Sequence, residues 1–347
     1  MSRLSRWGFS LVVASALCAG CGANAITVPL QPSSSPSPPN ALGRGTLAVI
    51  ERSSTVTRVL IFPPHSDKFT REIPIHGSHL IANSLAFDRR GHLYVGINDT
   101  SRNGRYHIVE FNLRDWKVVR EINDIPQWSH SSIAIDDQNV LYVNAKAFVG
   151  GDVKLFRRGD TKPWIEIKDH HSPVTMLLGR ESLWIGYEGA LADALARYRL
   201  RSTDRTWFQT VGANLPLKLA VNPEASLIAA KLRGQSKSTV EVIDVRSGKR
   251  SRVLDGAGVE AMVSDDSGDL YIAQLHGIIH RCSFQSCAHS FDTNSTVLAL
   301  ALSPLDGMLY VAASGKPSIQ VYDPRTGSRV TYIPIHGGFP SRLAIEP

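Results

Sequence analysis

Apolar and polar positions in this chain alternate in bursts too short for helices, and the bursts repeat. One burst, three apolar or small residues closed by a polar or small one, occurs seven times. The seven are Leu85-Ala86-Phe87-Asp88, Ile133-Ala134-Ile135-Asp136, Met176-Leu177-Leu178-Gly179, Leu219-Ala220-Val221-Asn222, Met262-Val263-Ser264-Asp265, Leu300-Ala301-Leu302-Ser303 and Leu343-Ala344-Ile345-Glu346. After a polar turn, the first six are followed by Leu93-Tyr94-Val95, Leu141-Tyr142-Val143, Leu183-Trp184-Ile185, Leu227-Ile228-Ala229, Leu270-Tyr271-Ile272 and Leu309-Tyr310-Val311. Brief runs of β-branched and aromatic residues between Gly, Asp, Asn and Ser predict strands. Third strands alternate with period two in His107–Phe111, Val240–Asp244 and Ile319–Asp323.

Successive first strands start about 43 residues apart, room for four short strands and their turns. The register of the ends is informative. Leu47-Ala48-Val49 reads as a second strand with no first strand before it, and Arg342 to Pro347 reads as a first strand with nothing after it. Joined, they complete a seventh unit. The pattern therefore predicts an all-β, seven-bladed β-propeller of four-stranded blades over residues 46–347, closed by pairing of the C-terminal strand with the N-terminal blade. Closure hides sheet edges that would otherwise pair with other chains.

Leu309-Tyr310-Val311-Ala312-Ala313-Ser314-Gly315, followed by Ile319-Gln320-Val321-Tyr322-Asp323, resembles the YVTN-type and NHL-type propeller repeat. Ser84 to Val95 and Ala261 to Ile272 are similar to it as well. The resemblance covers nearly all of the chain after residue 45. It implies an architecture rather than an activity, because such repeats host receptors, scaffolds, lactonases and lyases.

Composition narrows the function classes. Of 347 residues, 43% are hydrophobic and 20% charged, which excludes wholesale disorder, and no coiled-coil or multi-span membrane pattern occurs. The net charge is +7, yet no Lys/Arg run reaches five residues, so nucleic acid is not an expected partner. Arg3 and Arg6 precede a short apolar segment, Phe9 to Gly20, the layout of an export signal over residues 1–20. Ala19-Gly20-Cys21 resembles a bacterial lipobox, with Cys18 where Leu is usual, and expects lipid on Cys21 and anchoring to the cell envelope. Ala23-Asn24-Ala25 is the competing cleavage site and would release a soluble periplasmic or secreted protein. Residues 21–45, rich in Pro and Ser, read as a linker.

Candidate chemistry gathers where loops lead into the first strands. The position two residues before each first strand forms a ring: Asn83, Ser131, Val174, Leu217, Glu260, Leu298 and Ser341. Similarity to the SMP-30/gluconolactonase group implies a central divalent metal held by Glu, Asn and Asp, and only Glu260 and Asn83 of this ring match. His76, His79, His130, His171 and His336 lie in the same loops, and Ile73-Pro74-Ile75-His76-Gly77 recurs as Ile333-Pro334-Ile335-His336-Gly337. With Asn83 and Glu260 these are the expected ligand-binding residues, and Glu260 and His130 the candidate catalytic ones. His280-x-Cys282-x4-Cys287-x-His289 places the cysteines across a hairpin, with both histidines expected on the sulfur side. A disulfide, free thiols and a Cys2His2 zinc site are the open readings. No cofactor is expected, and the tryptophan-docking repeat of quinoprotein propellers is missing.

The expected function is a monomeric, non-catalytic envelope propeller that binds a protein, peptide or glycan at the channel mouth, with membrane contact through the N-terminal lipid. The alternative is a propeller enzyme, a metal-dependent lactonase or hydrolase, or a lyase. Mass spectrometry of the mature N-terminus checks the export reading. We expect a diacylated Cys21, and a free Ile26 would establish cleavage after Ala25 instead.

Overall fold

The computed structural model describes residues 44–53, 56–77, 79–101, 105–126, 132–146, 150–234, 238–255 and 258–347. The expected signal segment, Cys21, linker residues 22–43, His130 and Ser131 lie outside the described residues. Twenty-eight strands form seven four-stranded antiparallel sheets arranged as a propeller. Blade 1 takes its inner strand, Phe339–Ile345, from the C-terminus and its other three from Leu47–Arg52, Thr57–Phe62 and Arg71–Ile75. The inner strands of blades 2 to 7 are Leu80–Phe87, Ile133–Ile135, Ser172–Leu178, Leu215–Val221, Val259–Ser264 and Val297–Leu302. Each inner strand packs against the next, and the ring closes between blades 7 and 1.

The polar residue ending each inner strand has a local task. Asp88, Asp136 and Asp265 accept hydrogen bonds from the backbone N–H groups two and four residues on, at 2.8–3.0 Å, which ties the turn to the second strand. Asn222 does the same through Oδ1 for Ser226 and Leu227. The aromatic of the second strand completes this unit in blades 3 and 6, where Tyr142 and Tyr271 donate to Asp136 and Asp265 at 3.1 and 3.3 Å.

The core is not one cluster but seven, one in each interface between neighbouring blades. Tyr94, Tyr106, Leu141 and Val143 fill the interface of blades 2 and 3, for example, and Trp184, Leu195, Ile228 and Ile243 that of blades 4 and 5. Both faces of a blade are therefore buried, so second strands read as continuous apolar runs.

Inner strands start earlier than the apolar bursts suggest. Pro173, Pro216 and Pro340 lie inside them, paired with Tyr187, Leu232 and Glu51. The reason is a β-bulge. In six blades the register skips one residue of the inner strand: Asn83, Val174, Leu217, Glu260, Leu298 and Ser341. These are the described members of the ring read from the sequence. The extra residue breaks the period-two alternation, so a pattern reading loses the strand upstream of it.

The residue after the bulge and its partner on the second strand face the neighbouring blade at close range. A Cβ on Gly186 would meet Thr175 Cγ2 at 2.7 Å and the Pro216 carbonyl of blade 5 at 3.0 Å. One on Gly96 would overlap Tyr106 and Ser84. Small residues are required there in blades 2 and 4.

In blade 6, Cys282 and Cys287 are paired in register and joined by a disulfide. The register skips Ala288, so His289 stands opposite Arg281 and faces away from the sulfurs, while His280 stays on their side opposite Ser290. Simple alternation expected both histidines beside the cysteines. The bulge turns His289 over, and the disulfide leaves no thiolate for a metal, so the four residues do not fit a tetrahedral zinc site.

Closure rests on six paired positions, Leu47 with Ile345 through Arg52 with Phe339, and on Glu346 N–H donating to the Thr46 carbonyl at 2.9 Å. Deleting residues 341–347 should open the ring and unpack Leu343 and Ile345 from the interface of blades 7 and 1. We expect aggregation, or a loss approaching about 1.5–3 kcal/mol per large apolar side chain exposed. Thermal melts of the truncated and full-length proteins check this, and equal melts would refute closure by this strand.

Candidate functional site

Topology sorts the loops onto two faces. Loops that lead from an outer strand into the next inner strand share one face with the loops joining second to third strands. Turns such as Asp88–Gly91 and Asp265–Gly268 lie on the other. His79, in the loop leading into blade 2, accepts hydrogen bonds at its carbonyl from Thr100 N–H and Oγ1, at 2.9 and 3.0 Å. That ties it to the second-to-third loop of the same blade. His76 and His336 follow outer strands of blades 1 and 7 and are exposed. The His336 carbonyl accepts from Arg58, whose guanidinium also pairs with Glu51 and Glu72.

His171 is half-buried between blades 3 and 4. Its Nδ1 lies 2.8 Å from Asp169 Oδ1, and Asp169 Oδ2 takes Arg205 at 3.2 Å. Burial opposes ionisation of Asp169, but the His171 hydrogen bonds and charge hold its carboxyl below the usual range. This is a local Asp–His–Arg network, and no hydrogen bond, ion pair or ring contact among the described residues joins any two of His76, His79, Asn83, His171, Glu260 and His336. The histidines are spread along the mouth face and do not form one cluster around Glu260.

What surrounds Glu260 is cationic. In the register position after the bulge, where blades 2, 4, 6 and 7 carry Ser84, Thr175, Ala261 and Ala299, blade 5 carries Lys218 and blade 1 carries Arg342. Opposite Lys218, where blades 2 and 4 have glycine and blades 6 and 7 alanine, stands Lys231. Two lysines thus face each other across a strand pair, a repulsive arrangement. Lys231 is 7% exposed and donates to the carbonyl of Val259, the residue before Glu260. Lys218 has no hydrogen-bond or ion-pair partner among the described residues, nor does Glu260. Arg52, at the end of the closing strand pair, donates Nη2 to the Ala82 carbonyl of blade 2 at 3.0 Å, and its buried Nε has no partner among the described residues. Asn83 Oδ1, on the adjacent bulge, is also buried without a partner among the described residues.

These groups act on one another across the axis. Burial pushes the Lys218 ammonium down to about 8, Arg342 and Lys231 add to the shift, and Glu260 opposes it. Blades 5 and 1 are three apart in the ring, so the charges of Lys218 and Arg342 act on each other at a distance, across the axis rather than through a shared blade interface. Burial also lowers Arg342, opposed by Glu260, and Arg52 is lowered by burial and then by Arg342. Arg342 is open to water yet walled by the ring, which accounts for its partial desolvation.

A central divalent cation does not fit here. Glu260 has cations as its charged neighbours, and no group of three or more His, Cys, Asp and Glu that could hold a metal occurs among the described residues. Two surface clefts lie elsewhere. One, about 530 Å³, is on the opposite face between blades 4 and 5, beside Arg180, Arg197, Arg199 and Glu224. The other, about 430 Å³, is beside Asp169 and Arg205. Three of their cations are already engaged, Arg197 over the Trp184 ring, Arg199 with Asp204 and Arg205 with Asp169.

Pattern reading reached Glu260 and missed Lys218, Lys231, Arg342 and Arg52. The signal was one residue away. Aligned on proline, Pro173-Val174-Thr175, Pro216-Leu217-Lys218 and Pro340-Ser341-Arg342 show two long cations in the column next to the ring that was chosen.

No family model matches the chain, and no curated protein sequence does. Solved structures match in fold. The dihydro-heme d1 dehydrogenase NirN in complex with DHE superposes with a TM-score of 0.58 at 14% identity, over 90% of this chain and 78% of that one. The β-propeller domain of Myceliophteria thermophila Cps50 (Swd1) gives 0.55 at 13% identity, over 73% and 85%. At such identities the likeness is one of fold.

An unpaired, desolvated ammonium opposite a second lysine lowers stability. Lys218→Met should raise stability at pH 7 by about 1–2 kcal/mol. The folded pKa lies below the unfolded one, so the wild-type penalty is full below about pH 8 and fades as pH rises toward 10.5. The advantage of Lys218→Met should therefore shrink between pH 7 and pH 9.5. Denaturant melts at the two pH values test this, and a difference independent of pH would contradict it.

Proposed function

We propose that this chain is a non-catalytic binding propeller of the cell envelope, which receives a protein, peptide or glycan partner on the face where loops lead into the inner strands. The observation that carries the reading is the convergence of Lys218, Arg342 and Glu260 on the axis without ion-pair partners among the described residues. Charges held apart from one another in a walled shaft are available to a ligand. Around them His76, His79 and His336 furnish an exposed polar rim. The composition of residues 1–45 supports export, with lipid on Cys21 or a soluble mature form.

A catalytic reading finds less support. Glu260 has no hydrogen-bonded base, nucleophile or metal-binding neighbour among the described residues. The two structural neighbours described above differ in role, one a dehydrogenase and one a Swd1 propeller domain, so the fold does not choose between the classes.

Two experiments test the proposal. A photo-crosslinking residue at His79 or His336 in living cells should capture a partner, while one at Arg89 or Asp266 on the opposite face should not. Purified protein should show no turnover across a panel of lactones and esters with added divalent metals. Adducts from the opposite face alone, or turnover abolished by Glu260→Ala, would overturn the reading.

A further inference from the structure

The repeat explains most of what lines this fold, and the departures from it are concentrated at one place. Closing the ring requires a bulge in the inner strand and small residues just beyond it, as Gly96, Gly186, Ala273 and Ala312 illustrate. Nothing in that requirement calls for Lys218, Lys231 or Arg342, and the first two oppose each other in register. Ion pairing does not explain them either. The Lys231 ammonium is anchored on the Val259 carbonyl, Arg342 Nη1 on its own neighbour's carbonyl at Ser341 at 2.8 Å, and Lys218 on nothing among the described residues. Arg52 Nε and Asn83 Oδ1 add a donor and an acceptor without partners among the described residues at the junction of blades 1 and 2. Several other half-buried cations find carboxylates, as Arg58 does with Glu51, Lys154 with Glu166 and Arg281 with Asp269.

We propose that the shaft is an anion-binding site, in which Lys218 and Arg342, backed by Lys231 and Arg52, hold a small molecule bearing two or more negative charges as carboxylate or phosphate groups. Glu260 and Asn83 are the acceptors beside them. They would take a hydroxyl or amine of the same molecule and reject a bare anion to a degree. Cations with three to five donors each, held at the axis by different blades, can grip separate oxygens of one ligand. A walled site screens such contacts less than open surface does. The inference rests on the mouth-face binding reading and deepens it by naming the chemistry of the ligand.

The test is calorimetric titration of the purified full chain at pH 7 with inorganic phosphate and with citrate, against sodium chloride of matched ionic strength. Saturable binding of one or both anions is expected. Lys218→Met and Arg342→Gln should each weaken it by about tenfold or more, and Arg89→Gln on the opposite face should not. Glu260→Gln should tighten it by about fivefold, since the repelling carboxylate is gone, which a merely structural role for these residues would not produce. Citrate alone assigns a polycarboxylate, phosphate alone a phosphoryl group, and both together the shared anion chemistry. Heats no different from sodium chloride for both anions, or binding retained in both cation variants with native melting curves, would overturn the proposal. Failure here with cross-links still formed at His79 would leave the mouth-face reading standing. Anion binding without such cross-links would do the reverse.

Discussion

The closeness with which neighbouring blades meet at the axis governs this structure. Twisted sheets set radially diverge toward the rim and converge at the centre, so an inner strand comes very close to the second strand of the blade before it. Gly186 against the Pro216 carbonyl shows how little room remains, with 3.0 Å for a Cβ. The bulge before this point gives the inner strand the bend it needs, at the expense of one unpaired residue per blade. Only against that demand for small side chains do Lys218, Lys231 and Arg342 stand out. On a sheet surface elsewhere they would be ordinary solvated cations.

Burial is distributed accordingly. Seven interface cores stabilise the ring, and each blade contributes to two of them, so no blade is stable by its own packing. Blade 1 is the one whose strands come from both ends of the chain. Its pairing of Leu47–Arg52 with Phe339–Ile345 converts a linear array into a closed one. The same closure carries Arg52 and Arg342 to the axis together, the former on a strand from the N-terminal half and the latter on the last strand of the chain. Folding and charge placement are thus linked at the seam.

Local features of the fold were legible in the sequence because their causes are local. The 43-residue spacing, the Asp or Asn that closes four of the seven inner strands, and the shared terminal blade all follow from turn chemistry and strand length. The bulge was not legible as such, since it is defined by the partner strand. Yet its residue was singled out in every described blade, because a fixed offset from the apolar burst tracks a fixed offset from the bulge. On the reading proposed above, the cations stand one residue beyond that ring, at Lys218 and Arg342. The same kind of slip misplaced His289, where the skip at Ala288 reverses the side to which the following residues point. The histidines do not gather into one cluster, for another reason. They share a face with the shaft, but outer-strand ends such as His76 and His336 lie at the rim, and His171 is bound to Asp169.

Rim and shaft differ physically in what they can select. Exposed groups at the rim act through solvent, where an ion contact is worth about 1 kcal/mol or less. The shaft groups act where water is partly excluded and where field lines from several blades add. Lys218 already registers this, its ammonium lowered to about 8 by burial and by Arg342 and Lys231. A ligand carrying negative charge would offset the repulsion from Arg342 and Lys231, supplying Lys218 with a partner it lacks among the described residues. A cationic or neutral ligand would not offset it. On the reading proposed above, the axis therefore sorts ligands first by sign of charge, through Lys218 and Arg342. The rim and its loops then act on shape, a division of labour that follows from where the ring excludes water rather than from which residues are most reactive.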